Sequence, residues 1–396
     1  LAPHASQRLR SVTSPLISPN GREVAYVLSI PRNPLTGDNG AARRELHVVG
    51  ADGVSRPFVT GDVSVSAVRW TPDGSAVSFL AKREGDETRC LYLIPVGGGE
   101  SRPVVRHGTD IASYDWNPDG RRVLFTAKEV LAEAVEASRE QGFNQEVFEE
   151  DARPTVLWVA DILDPEAVPR RLHVPGDPSL ARWGPGGDRI ALALAPTASI
   201  DDSYMNRKIH VVDADSGGVL VRFENPGKLR DLRWSPDGER LALISSADLN
   251  DPAAGRLLTA SLALGELTDA LPGLEGHVNR IAWRDVDHLV YLADVGTSTI
   301  LGEVTLPAED PTVELPGEEP GAPPASRLLW SGTDKVFTGL SLSGDGSVGA
   351  LQGESPLHPD EAFYWTPAAG LVTRLTDSNP WLEAGDLAPQ EVVSYE

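Results

Sequence analysis

Few residues in this chain have the types and spacing that chemistry requires. A pair of carboxylates, Glu149 and Glu150, lies in the acidic stretch 145–151. Paired carboxylates hold an ammonium group well when they are partly desolvated, so these glutamates could bind the amino terminus of a peptide. The simpler interpretation is that the stretch is only a solvated acidic face.

Signs of a catalytic or metal site are missing from the sequence. It contains no Gly-x-Ser-x-Gly, the motif that places a serine nucleophile on a strand-to-helix turn. The eight histidines show neither paired metal spacing nor a His-Glu-x-x-His motif. Cys90 is the only cysteine, which excludes an intrachain disulfide and a cysteine-based metal site. We therefore expect no catalytic residue, metal or cofactor, although distant residues that meet in the fold could still form a site.

Composition excludes some partners. The net charge of -23 over 396 residues would repel a phosphate backbone, so nucleic acid is not expected as a partner. The acidity serves solubility or, alternatively, creates an electronegative vestibule that attracts cationic peptide ends. No apolar run is long enough to span a membrane. The only methionine is Met205, so we expect the chain to be a piece of a longer protein.

One short pattern recurs along the chain. It consists of an apolar residue, one spacer, Pro-Asp-Gly or a close relative, and an apolar run of β type. Seven copies, the last two degenerate, begin at Ile17, Trp70, Trp116, Trp183, Trp234, Trp283 and Leu342. Two more strand-like runs follow most first hairpins, which gives the four strands of one propeller blade. The sequence therefore predicts an all-β, seven-bladed β-propeller of four-stranded antiparallel blades.

The residue types of the repeat suit tight turns between strands. Proline presets φ for the first central position, Asp or Asn suits the second, and glycine takes a left-handed conformation. We assign that glycine role to Gly21, Gly74, Gly120, Gly187 and Gly238. The repeated Trp70, Trp116, Trp183, Trp234 and Trp283 are expected to fill the layers between blades rather than to bind a ligand.

The repeat divides residues 1–382 into seven contiguous blades. Their approximate limits are 12–61, 62–108, 109–177, 178–228, 229–273, 274–334 and 335–382. The first copy has its own inner strand near Ser14, and the last has its own outer strand around 371–375. We therefore expect blades one and seven to close the ring by packing, without strand exchange, and to form a seam that can open locally.

Two segments depart from the repeat. Apolar residues recur with helical spacing within 127–152, which predicts a short helical insertion between the second and third strands of blade three. The segment 307–324 is rich in Pro, Glu and Gly and is expected to be an exposed loop in blade six.

The ends of the chain carry a family resemblance. The Trp-x-Pro-Asp-Gly repeat resembles the propeller repeats of both the Tol-associated periplasmic protein and the prolyl-oligopeptidase family. Segment 12–26 is similar to the first blade of acylaminoacyl-peptidase and dipeptidyl-peptidase relatives in that family. Segments 354–365, 374–379 and 389–396 are similar to the last blade and to the link that enters the hydrolase domain.

This resemblance implies a parent serine peptidase. A C-terminal α/β-hydrolase domain of the same parent chain would carry Ser, Asp and His, and residues 383–396 would be the linker towards it. The propeller would restrict entry to short peptides. Dipeptidyl-peptidase members supply two propeller glutamates to the substrate amino terminus, and Glu149 and Glu150 are the match offered here.

Two other functions remain open at this point. The chain could be a free-standing protein-interaction module similar to the Tol-associated propeller. It could also be a propeller enzyme with a site in the central channel. The compartment stays open between the cytoplasm, slightly favoured, and the periplasm, because exported bacterial proteins can also lack disulfides.

Overall fold

Seven four-stranded antiparallel sheets form the molecule in a computed structural model. The structure describes residues 7–33, 35–37, 39–145, 152–164, 167–250, 252–307 and 324–395. Each sheet is a simple meander in which neighbouring strands follow each other in the chain. The predicted seven-bladed propeller of four-stranded blades is confirmed.

The first four blades occupy the N-terminal part of the chain. Their strands are β1 (Ser11–Ile17), β2 (Glu23–Ile30), β3 (Arg43–Gly50) and β4 (Ser55–Val59) in blade one, and β5 (Ser66–Trp70), β6 (Ala76–Ala81), β7 (Cys90–Pro95) and β8 (Arg102–Val105) in blade two. Blade three contains β9 (Ile111–Trp116), β10 (Arg122–Lys128), β11 (Thr155–Asp161) and β12 (Arg170–Leu172). Blade four contains β13 (Asp177–Trp183), β14 (Arg189–Ala195), β15 (Lys208–Asp213) and β16 (Val219–Phe223), so it begins one residue earlier than the approximate limit from the repeat.

The last three blades complete the ring. Blade five contains β17 (Leu229–Trp234), β18 (Arg240–Ser246), β19 (Gly255–Ser261) and β20 (Leu267–Asp269). Blade six contains β21 (His277–Trp283), β22 (His288–Val295), β23 (Ser298–Thr305) and β24 (Ala325–Gly332). Blade seven contains β25 (Val336–Leu342), β26 (Gly349–Ser355), β27 (His358–Thr366) and β28 (Leu371–Arg374).

The hydrophobic core consists of layers between neighbouring blades. Seven clusters of buried apolar residues each join two adjacent blades, and one of them joins blade seven to blade one. Second strands are sandwiched within the blades, and every residue of β6 and of β18 is buried. Long apolar runs follow each turn in the sequence because these strands have no solvent-facing side.

The ring closes without strand exchange, as predicted. Blades one and seven each pair only their own four strands. The seam between them is held by hydrogen bonds that connect the two blades: Gly344 N donates to Pro19 O (2.9 Å), and Tyr364 Oη donates to Gly21 O (3.0 Å). The Asn379 side chain accepts from Arg10 N (2.9 Å) and donates to Arg10 O (2.8 Å), which fastens the segment after β28 to the start of β1.

Two α-helices occur in the described part of the chain. Helix α1 (Glu133–Glu140) lies between β10 and β11, which confirms the helical insertion in blade three. Helix α2 (Ile200–Met205) lies between β14 and β15 and was not predicted; it begins where Ser199 Oγ accepts a hydrogen bond from Asp202 N. Neither helix is long and apolar enough to cross a membrane. Most of the predicted blade-six loop lies outside the described residues.

Candidate functional site in the central channel

The first strand of each blade lines the central channel. First strands of successive blades contact one another, as β9 with β13, β13 with β17 and β17 with β21 do, whereas outer strands such as β16 are largely exposed. The meander puts the beginning of each first strand, the connections with α1 and α2, and the end of each fourth strand on one face, here called the helix face. The Pro-Asp-Gly turns lie on the opposite face, the turn face.

The repeated tryptophans lie between blades, at the ends of first strands. Trp70 Nε1 donates to Leu16 O (2.8 Å) of the preceding blade, and Trp234 Nε1 donates in the same way to Arg182 O (3.1 Å). Trp116 bonds to Ser78 Oγ, and Trp283 to Arg233 O. The bonds of Trp70, Trp234 and Trp283 join neighbouring first strands and so help to set the shape of the channel.

Arginines cover three of these tryptophans. Arg122 lies over the ring of Trp183 at 5.3 Å, and Arg189 and Arg240 lie over the tryptophans of the next two blades at 5.6 Å each. A guanidinium group over an indole face is a favourable cation–π contact. This arrangement gives the tryptophans a structural role between blades and leaves the channel to other side chains.

The first strands bulge where they approach the channel axis. Ser14, Ala67 and Leu180 have positive φ angles of 53°, 48° and 50°, and among the described residues they are the non-glycines with that conformation. Each lies at an irregularity in the pairing of its blade's first two strands. β-bulges re-aim the side chains that follow them, and strained backbone of this kind clusters at functional sites.

A cluster of charged side chains lies on the first strands of five blades, and two of its members come two residues after the bulges at Ala67 and Leu180. We call it the channel cluster; it contains Arg69, Asp115, Arg182, Arg230, Asp231, Arg233 and Arg280 from the first strands of blades two to six. Arg182 of blade four interacts electrostatically with Arg69 of blade two and with Arg233 of blade five. Blades two and four are not neighbours, so their side chains can meet only in the central channel. Five arginines against two aspartates make the cluster positive in a strongly acidic protein.

Both aspartates of the cluster already have partners. Asp115 accepts from Trp183 N (2.9 Å) and forms an ion pair with Arg69 at 3.3 Å. Asp231 pairs with Arg233 at 3.1 Å and accepts from Leu232 N. These two carboxylates therefore neutralise Arg69 and Arg233.

Arg182 and Arg280 have no carboxylate partner among the described residues. The Nη1 atom of each donates to the carbonyl oxygen of the preceding residue, at 2.9 Å for Arg182 and 2.8 Å for Arg280. Nε of Arg182 is buried and has no hydrogen-bond partner in the described structure. Two guanidinium groups in the channel thus keep donors for an incoming group.

The electrostatic environment is consistent with this arrangement. Burial, together with the nearby charge of Arg69, lowers the pKa of the Arg182 guanidinium to about 10, and the carboxylate of Asp115 acts in the opposite direction. Burial also lowers the pKa of Arg280, against the effect of Asp231. Both groups stay charged at neutral pH, so the channel holds positive charge that its own residues do not balance.

A pocket of about 560 Å³ opens on the helix face beside the channel. Tyr204, Lys228, Arg230 and His277 contribute to its wall, and Lys228 lies over the Tyr204 ring at 5.7 Å. Arg230 belongs to both the pocket and the channel cluster. A basic track therefore leads from the helix face into the channel.

The predicted repeat residues lie in the described part of the chain, whereas the two predicted substrate-binding glutamates do not. The five tryptophans lie between blades, and the five repeat glycines have φ angles between 67° and 75°. Glu149 and Glu150 lie outside the described residues, so their pairing with a substrate stays a prediction. Within the described part of the chain no group of three or more metal-ligating side chains occurs.

The channel cluster was missed in the sequence, although a signal for it is present. Arginine directly precedes the repeat tryptophan in three copies, at Arg69, Arg182 and Arg233, and aspartate does so at Asp115. This position follows the bulge of the first strand. The resulting positive charge is opposite in sign to the electronegative vestibule considered from composition.

Fold and channel together define a seven-bladed propeller whose ring is closed without strand exchange. Acylaminoacyl peptidase of Pyrococcus horikoshii has a similar structure, with a TM-score of 0.69 and 18% identity over 96% of this chain and 54% of that one. The propeller domain of the trilobed protease from Pyrococcus furiosus, which has an open velcro topology, gives a TM-score of 0.63 and 17% identity over 94% of this chain and 99% of that one. The chain therefore has the fold of the propeller domains of such peptidases.

Sequence comparison gives a shorter match to a peptidase. The chain is 31% identical over 91 residues to the uncharacterized peptidase YuxL of Bacillus subtilis (strain 168), which is 23% of this chain and 13% of that protein. No family model matches. The chain spans about half the length of the acylaminoacyl peptidase and a smaller part of YuxL.

Proposed function

We propose that this chain is the substrate-gating propeller of a serine peptidase that cleaves short peptides, of acylaminoacyl- or dipeptidyl-peptidase type. The observation that carries the proposal is the fold similarity to a peptidase propeller along 96% of the chain. The short sequence match to another peptidase supports it. In this role the chain itself supplies no nucleophile and acts as a filter in front of a hydrolase domain.

The topology indicates where the hydrolase domain would sit. β1 begins and β28 ends on the helix face, so a domain that continues beyond residues 383–396 would cover that face. The basic pocket next to Tyr204 would then open towards the catalytic domain. Peptides would reach the catalytic domain through the channel from the turn face, or through a transient opening at the seam.

The first test of this proposal is the gene itself. A Gly-x-Ser-x-Gly motif encoded downstream of Glu396 supports the peptidase. A stop codon directly after Glu396 contradicts it and leaves the protein-interaction module as the better candidate.

Cleavage by the parent protein then tests the gating role. Gating predicts rapid hydrolysis of short peptides and negligible hydrolysis of long peptides that contain the same scissile sequence. A small ester substrate serves as the control, because it reports the hydrolase chemistry without depending on peptide length. Equal rates for short and long peptides would contradict gating while leaving the peptidase assignment intact.

We also propose that Glu149 and Glu150 bind the free amino terminus of the substrate. They follow α1 in the sequence and precede β11. Substitution of both by Gln in the parent protein is expected to raise KM for free-amino substrates and to leave acylated substrates unaffected. Glu140→Gln at the exposed end of α1 is the matched control. An equal effect on acylated substrates would contradict this role.

A further inference from the structure

Three guanidinium groups of the channel cluster have no carboxylate partner among the described residues: the partly buried Arg182 and Arg280, and the exposed Arg230, which contacts Asn279 at 3.5 Å. Arg69 and Arg233 have carboxylate partners at 3.3 Å and 3.1 Å, whereas Arg182 and Arg280 donate only to the carbonyls of their own neighbours. A guanidinium group carries five N–H donors in a planar fork. Buried polar groups normally find partners, so the buried and unpartnered Nε of Arg182 requires an explanation.

The position of these groups suggests a ligand rather than a role in folding. A pair placed to stabilise the fold would match each arginine with an acid, as Asp115 and Asp231 do for their neighbours. Bulges in the first strands of blades two and four direct Arg69 and Arg182 towards the axis at the cost of positive φ angles at Ala67 and Leu180. Strain of this kind persists where the surrounding structure enforces it, which is typical of binding sites.

Charge and geometry favour a carboxylate as the ligand. Planar carboxylates accept two parallel hydrogen bonds from one guanidinium group. Large polyanions are disfavoured, because the remainder of the molecule is strongly acidic and would repel them. A short peptide brings only one or two carboxylates and can enter a channel.

We propose that the central channel is a binding site for the carboxylates of acidic peptides, with Arg182 and Arg280 as the groups that hold them. The choice of a peptide as the carrier of the carboxylate rests on the proposed function; the anion site rests on the cluster alone. A carboxylate could come from an Asp or Glu side chain or from the peptide's C-terminus. The channel would then admit acidic peptides and reject basic ones.

Binding by the 396-residue chain tests this inference directly, by calorimetry at low and at near-physiological ionic strength. The probes are acetyl-Gly-Glu-Glu-Gly-amide, its glutamine counterpart, the glutamine peptide with a free C-terminus, and inorganic phosphate. We expect the glutamate peptide to bind and the amidated glutamine peptide not to bind. The third peptide shows whether a C-terminal carboxylate is sufficient.

Substitutions of single arginines test whether the peptide binds in the channel. Arg182→Met and Arg280→Met each remove one guanidinium and are expected to weaken binding of the glutamate peptide about tenfold, since a lost charge-assisted hydrogen bond typically has an effect of this size. Arg222→Met is the matched control, because Arg222 lies on the exposed outer strand of blade four and changes the net charge equally. Arg182→Lys keeps the charge without the planar fork and serves if the methionine variant does not fold.

Four outcomes would overturn the inference: equal binding of the glutamate and glutamine peptides, no binding of either, an equal effect of Arg222→Met, or phosphate binding as tight as that of the peptide. None of these depends on hydrolysis. A failure of the channel site is therefore distinguishable from a failure of the peptidase proposal, which the gene and the cleavage assay decide.

Discussion

Substitution of Glu361 should open the seam of the ring selectively. Glu361 lies on β27 in blade seven and is fully buried. Its carboxylate accepts hydrogen bonds from Thr376 Oγ1 (2.6 Å), Ser378 N (2.8 Å) and Ser378 Oγ (2.9 Å), and it pairs with Arg374 at 3.1 Å. These contacts fix the segment after β28. The residue that follows Ser378 is Asn379, which hydrogen-bonds to Arg10 at the start of β1. A buried carboxylate thus supports the closure of the ring.

The expected energies follow from these contacts. Glu361→Gln keeps one acceptor oxygen but removes the charge that strengthens four interactions, so we expect a loss of about 2 kcal/mol. Glu361→Ala removes all four and leaves a buried cavity beside Arg374, with an expected loss of about 4 kcal/mol. Urea unfolding of the 396-residue chain measures both values.

Hydrogen exchange shows which strands the substitutions destabilise. We expect faster exchange in β1 and β2 of the Glu361 variants and unchanged exchange in β14, which lies in blade four across the ring. Glu303→Gln is the control: Glu303 is equally buried in blade six, between Arg284 (2.6 Å) and Arg327 (2.8 Å), but away from the seam. If both variants accelerate exchange in β1 to the same extent, the seam is not held by Glu361 and the reasoning fails.

Two further predictions concern the repeated turns. Gly120 and Gly346 both have positive φ, but a Cβ at Gly120 would meet nothing within 4 Å whereas one at Gly346 would lie 2.5 Å from Arg284 O. Gly120→Ala should therefore cost about 1 kcal/mol from the backbone alone, and Gly346→Ala clearly more; equal unfolding midpoints in urea would contradict this. Hydrogen bonds from Ser343 and from Ser347 lower the pKa of Asp345 to about 2. Because the folded-state pKa is depressed, the stability from this carboxylate is present above about pH 4 and is lost as the pH falls towards 2. Asp345→Asn should accordingly lose less stability than the parent between pH 7 and pH 3, and an equal loss in both would count against it.

The fold was predictable because its signal is local and repeated. Tryptophan and the Pro-Asp-Gly turn recur at similar spacing, and the glycines need the positive φ that the structure shows at Gly74 and Gly238. Helix α2 was missed because six residues are too few for a clear periodicity. The signals present were its cap at Ser199 and the acidic first turn of Asp201 and Asp202.

The channel cluster could not be predicted in the same way. Arg69 and Arg182 are far apart in sequence and come from blades that are not neighbours, so only closure of the ring brings them together. The sequence shows that a charged residue precedes four of the repeat tryptophans. It does not show that a bulge in the first strand turns this residue towards the channel axis. Pairing of charges is also invisible in the sequence: Asp115 and Asp231 could have partnered any of the five arginines.

The seam and the channel cluster are built from different blades, which has a consequence for gating. In blades one and seven, the residues that correspond to Arg69 and Arg182 are Leu16 and Ser341. The two seam blades therefore place no charged side chain at this position of the channel. Blades two to six carry the cluster, and they are connected by continuous core layers and by indole hydrogen bonds between blades. If the ring opens between blades one and seven, the arginines keep their mutual geometry. Under the proposed function, the opening that admits a peptide and the surface that selects it would therefore be separate, and Glu361 variants should change the rate of entry without changing the preference for carboxylates.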